Sequence, residues 1–322
     1  MRSLITGING FVGSHLAELL LGMGDEVHGI IRSWRSSLDN LDDAGIKTGD
    51  IGLHSCDLRG DGVHLQEILL RVKPQRIFHL AAQSYVPTSF KCPADTFAVN
   101  VIGTTNLFEA ARHLEPFPVI HNCASSEVYG NPERREIPIK ETTPYRPLSP
   151  YAISKAAQDM LGKYYWKAFR LPVVTTRAFT HGGPRRGDVF FESSFAKQIA
   201  EIELGLREPI IHHGNLNSTR TYMDVRDTVK AYELLTREGE PGEAYNVGGV
   251  VTKEVGEYLN MLLSFSHVEI RKQPDPARMR PTDATMQIPD IGKIKALGWE
   301  PQITAEQSFK DMLNYWREKL GG

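Results

Sequence analysis

The chain reads as an α/β protein, a doubly wound parallel sheet with a smaller C-terminal α+β part, and three features of the sequence predict this. Short β-rich runs alternate with helical patterns from the first residues, the order expected of a parallel sheet covered by helices on both faces. A glycine triplet separates the first such run from the first helix. Beyond about residue 180 the alternation loosens into the Pro-, Gly- and Arg-rich stretches "THGGPRRGD", "RKQPDPARMRPTDA" and "LGWEPQIT".

In order, "SLITG" predicts a strand, the periodic segment over 11–21 a helix, and "EVHGIIR" and "GLHSCDL" two more strands. A helix over 63–72, the strand "RIFHLAA", a helix over 94–114 and the strand "VIHNCASS" follow. Ser149 is a good N-cap and Pro150 suits the first helical position, so a helix should start there, before the strand "PVVTTRAF". On that helix Ile153, Ala157, Met160, Leu161 and Tyr164 recur at helical spacing and should face a core, with Tyr151 and Lys155 roughly opposite. The expected division is a cofactor-binding domain over 1–178, with a return near 217–245, and a substrate-binding domain over 179–216 and 246–322. No internal repeat or low-complexity segment interrupts this order.

The 322 residues, 41% hydrophobic and 24% charged with a formal net charge of -2, suit an ordinary soluble protein with a sizeable core. No long basic run is present, so affinity for nucleic acid or a membrane surface is not expected. Cys56, Cys92 and Cys123 are few and unpaired in pattern, as in reduced intracellular proteins. No basic n-region with an apolar h-region and no bilayer-length apolar run is visible, so a cytoplasmic location is expected. His212 and His213 are adjacent in an expected strand and point to opposite faces, and no His/Cys/Asp cluster has metal spacing, so no metal is expected.

"ITGINGFVG" places Gly7, Gly10 and Gly13, with Phe11 and Val12 between the last two, after a strand and at a helix start. Such glycines let the backbone approach a pyrophosphate that helix N-H groups then bind, the mark of a Rossmann-type dinucleotide site. About twenty residues on, where an acid would bind a ribose 2'-hydroxyl, the chain has Arg32, with Arg35 close behind. Guanidinium groups there suit a 2'-phosphate and favour NADP over NAD; the alternative is that both arginines are merely solvated or meet another subunit. Asp57, with Leu58, is placed to bond the adenine amine, and Leu80, Ala81 and Ala82 bring small or apolar groups near the cofactor. Tyr151 and Lys155, four apart on one helix, can meet at a common point, although any solvated Tyr/Lys face has this spacing. The fifth strand ends in "CASSEVYG", which carries Ser125, Ser126 and Glu127 to the carboxyl edge of the sheet, where ligands of such folds bind.

Ser125, Tyr151 and Lys155, together with the glycine loop, "LAAQS" and Asn100 in "FAVNVIGTTNLFEA", resemble the extended short-chain dehydrogenase/reductase family over essentially the whole chain. Within it, "EVHGIIRSWRSS", "LAAQSYVPTSF", "IPIKETTPYRPLSPYAISK" and "GPRRGDVF" are most similar to GDP-mannose 4,6-dehydratases. The resemblance implies bound NADP, a lysine that holds the nicotinamide ribose and lowers the tyrosine pKa, and Ser125, Glu127, Tyr151 and Lys155 as catalytic groups. It also implies a GDP-sugar substrate held by Gln83, Ser84, Ser126, Thr180, His181, Arg185, Arg220 and Arg280, in a homodimer or homotetramer. The expected reaction is conversion of GDP-mannose to GDP-4-keto-6-deoxymannose, with internal hydride transfer from C4 to C6. Thr180, Ser194 and Thr221 depart from the dehydratase pattern, which has asparagine, lysine and aspartate there. "FAKQIAEIELGLREPIIHHGNL" and "DVRDTVKAY" look closer to GDP-6-deoxy-4-keto-mannose reductases, so an NADPH-dependent reductase or an epimerase stays open beside the dehydratase. A non-catalytic NADP-sensing module would not need Ser125, Glu127, Tyr151 and Lys155 together.

Overall fold

The computed structural model describes residues 1–279, 282 and 284–321. Six strands, β1 (Arg2–Thr6), β2 (Glu26–Ile31), β3 (Gly52–Ser55), β4 (Arg76–His79), β5 (Val119–Cys123) and β6 (Val173–Ala178), join Ala244–Val247 in one sheet. The order is β3-β2-β1-β4-β5-β6 and then Ala244–Val247, all parallel. The direction of winding reverses between β1 and β4, which puts the crevice for a ligand beyond the end of β1.

Apolar faces explain the two helical layers. On one side helix α1 (Phe11–Gly22) and the helix Val225–Glu238 bury Leu16, Leu20, Val229 and Leu235 against Ile5, Ile31 and Val174 of the sheet. On the other, the helices Gly62–Val72, Gly103–Ala111 and Pro150–Phe169 contribute Leu65, Leu69, Leu107, Phe108 and Tyr165 to a second core with Leu4, Ile77 and Ile120. A third core, with Phe195, Tyr258, Phe309 and Trp316, unites the helices Phe191–Glu203, Val255–Leu263 and Ala305–Gly321 in the C-terminal cap. The cap strands are short: Ile210–His213 pairs with Arg271–Pro274, and Thr219–Thr221 lies between Thr252–Glu254 and Met286–Gln287.

Two expectations need correction. The segment expected as one helix over 94–114 is a short helix Pro93–Phe97, a π turn Ala98–Ile102 and a helix Gly103–Ala111. The widened turn carries the buried Asn100, whose Oδ1 accepts from Gln83 N at 2.9 Å and whose Nδ2 donates to Ser154 Oγ at 2.9 Å. The second concerns Pro150–Phe169. Ile153, Met160 and Tyr164 are exposed by 46, 61 and 54%, while Tyr151, Ser154, Lys155, Gln158 and Asp159 are buried. Apolar period therefore misassigned the inward face, because buried hydrogen bonds satisfy the polar one. Among the described residues no helix is long and apolar enough to cross a membrane.

Candidate active site

A cleft of about 1760 Å³ opens at the carboxyl edge of the sheet and runs into the cap. Its floor begins with the glycine loop. Gly7 has φ +71°, and a Cβ there would stand 3.0 Å from the Ala81 Cα, so the turn and the neighbouring strand require glycine. At Gly13 a Cβ would lie 2.3 Å from the Gly7 oxygen, so the helix can pack this close only without a side chain. Gly10 caps α1 without a side-chain bond, and no acid occupies the first turn, so the helix N-terminus is available to an anion. Phe11, Val12, Leu58, Leu80, Ala81 and Ala82 line the same floor.

Arg32 and Arg35 are exposed at the rim where β2 ends, and both line the cleft. Asp57 faces them across the mouth, held below the usual carboxylate range chiefly by hydrogen bonds from Arg59, which also pairs with Asp95 at 2.6 Å. The arrangement fits a dinucleotide: glycines at the tight turn, an uncapped helix end, and two guanidinium groups where an acid would repel an extra phosphate.

At the end of β5, Ser125 caps a 3-10 turn over Ser126–Tyr129, its Oγ accepting from Glu127 N at 3.2 Å. That turn brings Ser125, Ser126 and Glu127 to the cleft wall beside Tyr151 and Lys155. The Ser149 hydroxyl caps the helix by accepting from Ala152 N at 3.0 Å, which fixes where Tyr151 enters. Burial pushes the Tyr151 hydroxyl well above the ordinary phenol range, and a hydrogen bond with Ser125 and the Arg186 guanidinium only partly oppose it. The lysine that the resemblance expects to lower it is itself depressed by burial, and its ammonium, 6.0 Å from the Tyr151 ring centre, donates to the Cys123 carbonyl at 2.7 Å and Gln158 Oε1 at 2.9 Å.

The residues expected to hold substrate separate into groups. Ser84, Ser126, Thr180, His181 and Arg220 line the cleft. His181 stacks on Phe11 with centroids 6.2 Å apart, and burial lowers its pKa to about 4, so it is neutral at physiological pH. Gln83 also lines the cleft, but its side chain ties the turn together, accepting from Tyr85 N at 2.8 Å and donating to Thr96 Oγ1 at 3.1 Å. Arg185 also lines the cleft; its buried guanidinium bonds His15 and reaches Glu18 at 2.6 Å on α1, while Nη1 has no hydrogen-bond partner among the described residues. Its neighbour Arg186, which sequence reading did not single out, lies 3.5 Å over Phe190 and 4.8 Å over Phe11 and pairs with Glu192. Arg280 lies outside the described residues. Arg278, two positions earlier and also not singled out, donates to the Ser194 hydroxyl at 2.9 Å on the cleft wall. The only signal for either was its place in an Arg-rich cap segment, which does not say which arginine turns inward. Among the described residues no group of His, Cys, Asp and Glu could hold a metal ion.

A family model described as GDP-mannose 4,6 dehydratase matches residues 4–312. The GDP-mannose 4,6-dehydratase of Vibrio cholerae is 34% identical over 97% of this chain and 92% of its own length. The GDP-6-deoxy-D-mannose reductase of Pseudomonas aeruginosa is 30% identical over 99% of this chain and 98% of its own. The solved structure of RMD from Pseudomonas aeruginosa complexed with NADPH superposes with a TM-score of 0.84 at 29% identity, covering 99% of each chain. With its parallel sheet, glycine loop and Ser125/Tyr151/Lys155 cleft, the chain belongs to the GDP-mannose 4,6-dehydratase family, whose members are enzymes acting on nucleotide sugars.

Proposed function

We propose that the protein is a GDP-mannose 4,6-dehydratase that keeps NADP bound and converts GDP-mannose to GDP-4-keto-6-deoxymannose. The observation that carries this reading is the meeting of Glu127 with Ser125, Tyr151 and Lys155 at one cleft wall, because elimination needs a base at C5 besides the groups acting at C4. The glycine loop and the α1 N-terminus hold the cofactor pyrophosphate, Arg32 and Arg35 its 2'-phosphate, and Asp57 its adenine. The cap, 179–216 and 246–322, holds the nucleotide sugar, with Arg280 and, from the strand Thr219–Thr221 that pairs with the cap, Arg220 on the diphosphate.

When bound, NADP supplies the hydride acceptor at C4 and the hydride returned at C6. Tyr151 takes the C4 hydroxyl proton, and Ser125, beside it on the cleft wall, holds the same oxygen. The resulting ketone acidifies the C5 proton. Glu127 removes it and returns a proton to the departing C6 hydroxyl, so one water is lost; the proton taken from the C4 hydroxyl then goes to C5 as C6 is reduced, and no external reductant is consumed. Lys155 keeps positive charge beneath the tyrosine.

A second reading, an NADPH-dependent reductase of the 4-keto sugar, is favoured by Thr180, Ser194 and Thr221 and by the Ser194 hydroxyl accepting from Arg278 rather than giving way to a lysine. Here Tyr151 donates its proton to the C4 oxygen, and Glu127 has no chemical task. Turnover of GDP-mannose without added NADPH separates the two, and Glu127→Gln should lower it by roughly 10² to 10⁴, the usual worth of a positioned acid or base. Activity only on the 4-keto sugar, with NADPH oxidised, selects the reductase. The exposed stripe Ile153, Met160 and Tyr164, with Ile102 49% exposed nearby on the π turn, supports assembly as a homodimer or homotetramer.

A further inference from the structure

Lys155 is held from below by a side chain that no motif contains. Gln158 is 1% exposed and Asn122, on β5, fully buried. The two residues are bonded twice: Gln158 Nε2 donates to Asn122 Oδ1 at 2.9 Å, while Asn122 Nδ2 donates to the main-chain carbonyl of Gln158 at 3.0 Å and to Thr175 Oγ1 at 3.2 Å. With its NH2 committed to Asn122, the Gln158 amide can present only its oxygen to Lys155, and that oxygen accepts from Nζ at 2.9 Å. The Cys123 carbonyl takes a second N-H at 2.7 Å. An ammonium has three donors, so one is left for the cleft that Lys155 lines.

Both acceptors are neutral, and so are the side chains packed behind them. His79 on β4 and His121 on β5 face the ammonium, and burial lowers both to about 3. Tyr232, from the helix Val225–Glu238, lies behind the Cys123 thiol at 3.5 Å, its hydroxyl pushed up by burial. Glu127 and Arg186 act on Tyr151 from the cleft side with opposite sign. No carboxylate among the described residues bonds Nζ, so the positive charge beneath Tyr151 is not cancelled by an ion pair.

We infer that Gln158, oriented by Asn122, is a positioning residue that fixes the third N-H of Lys155 toward the cofactor while leaving its charge free to act on Tyr151. This rests on the proposed role of Lys155. Gln158→Glu keeps the shape and adds a neutralising charge. An opposite charge at this range is worth roughly one to three pKa units. In the NADP complex, the ultraviolet titration of Tyr151, taken as the difference between each protein and its Tyr151→Phe counterpart, should move up by about that amount. The ascending limb of the pH-rate profile should move with it, while KM for the sugar changes less than about threefold. Gln158→Met, of similar volume without the acceptor, should weaken NADP binding by roughly tenfold in calorimetry, the worth of about one charge-assisted hydrogen bond. An unmoved Tyr151 titration in folded Gln158→Glu, or unchanged NADP affinity in Gln158→Met should the first not fold, overturns the inference. Absence of turnover on every sugar by the unmodified protein strikes the proposed function instead, since titration and binding need no substrate.

Discussion

The two edges of the sheet each carry a buried basic side chain among polar partners, and they treat it in opposite ways. At the amino edge Arg76, 2% exposed, meets Asp25 at 2.6 Å, Glu233 at 2.8 Å, Ser3 at 3.2 Å and Thr236 at 3.3 Å. Its charge is balanced by two carboxylates and its fork of donors is occupied, so nothing is left to offer a ligand. At the carboxyl edge Lys155, 3% exposed, has only neutral acceptors and borders a cleft. The closed cluster suits architecture, because a compensated buried charge resists change. The open one costs desolvation that no ion pair offsets, and that cost makes sense only if a ligand completes it.

The contrast breaks most visibly at Tyr151. Tyr151→Phe removes a proton acceptor and almost no volume, so turnover should fall by about 10² to 10⁴ or more while the thermal midpoint and NADP affinity stay near those of the unmodified protein. Retention of most activity ends the case for the carboxyl edge as the reacting centre. Arg76→Met tests the other edge: it strands two buried carboxylates and should cost roughly 3 to 5 kcal/mol in denaturant unfolding, with kcat per folded molecule unchanged. Lost kcat with full stability would mean that the two edges are not divided as described. The smallest expected effect is at the rim. Arg32→Asp should reduce NADP affinity about ten- to a hundredfold and bring NAD level or ahead, since one charge-assisted phosphate contact is worth roughly 1.5 to 3 kcal/mol. Equal calorimetric affinity of the unmodified protein for both cofactors removes the role given to Arg32 and Arg35.

The same division governs what could be read from sequence. The strand and helix succession of the sheet was legible because each element carries its own local signal: the glycine triplet before α1, Ser149 and Pro150 before the helix Pro150–Phe169, continuous apolar runs for buried strands. Ser125, Tyr151 and Lys155 followed, because a strand end and an i, i+4 pair fix positions within one or two elements. The inward face of Pro150–Phe169 was not legible. Its buried side is polar, and the partners that satisfy it, Asn122 for Gln158 and Arg177 for Asp159, come from strands 36 and 18 positions away. Nor could the cap arginines be sorted. Arg185 and Arg186 both border the cleft, but Arg185 sits in a left-handed turn (φ +69°) with its guanidinium bonded to α1 while Arg186 lies over Phe11 and Phe190, and no local pattern marks that turn.

The central claim, that this cleft performs elimination rather than simple reduction, is tested most directly by GDP-mannose deuterated at C4, incubated with the protein and no added NADPH. Elimination yields GDP-4-keto-6-deoxymannose with the deuterium at C6, formed about 10² to 10⁴ more slowly with Glu127→Gln. If GDP-mannose is recovered unchanged, and NADPH is oxidised only when the 4-keto sugar is supplied, the cleft is that of a reductase and Glu127 is a bystander.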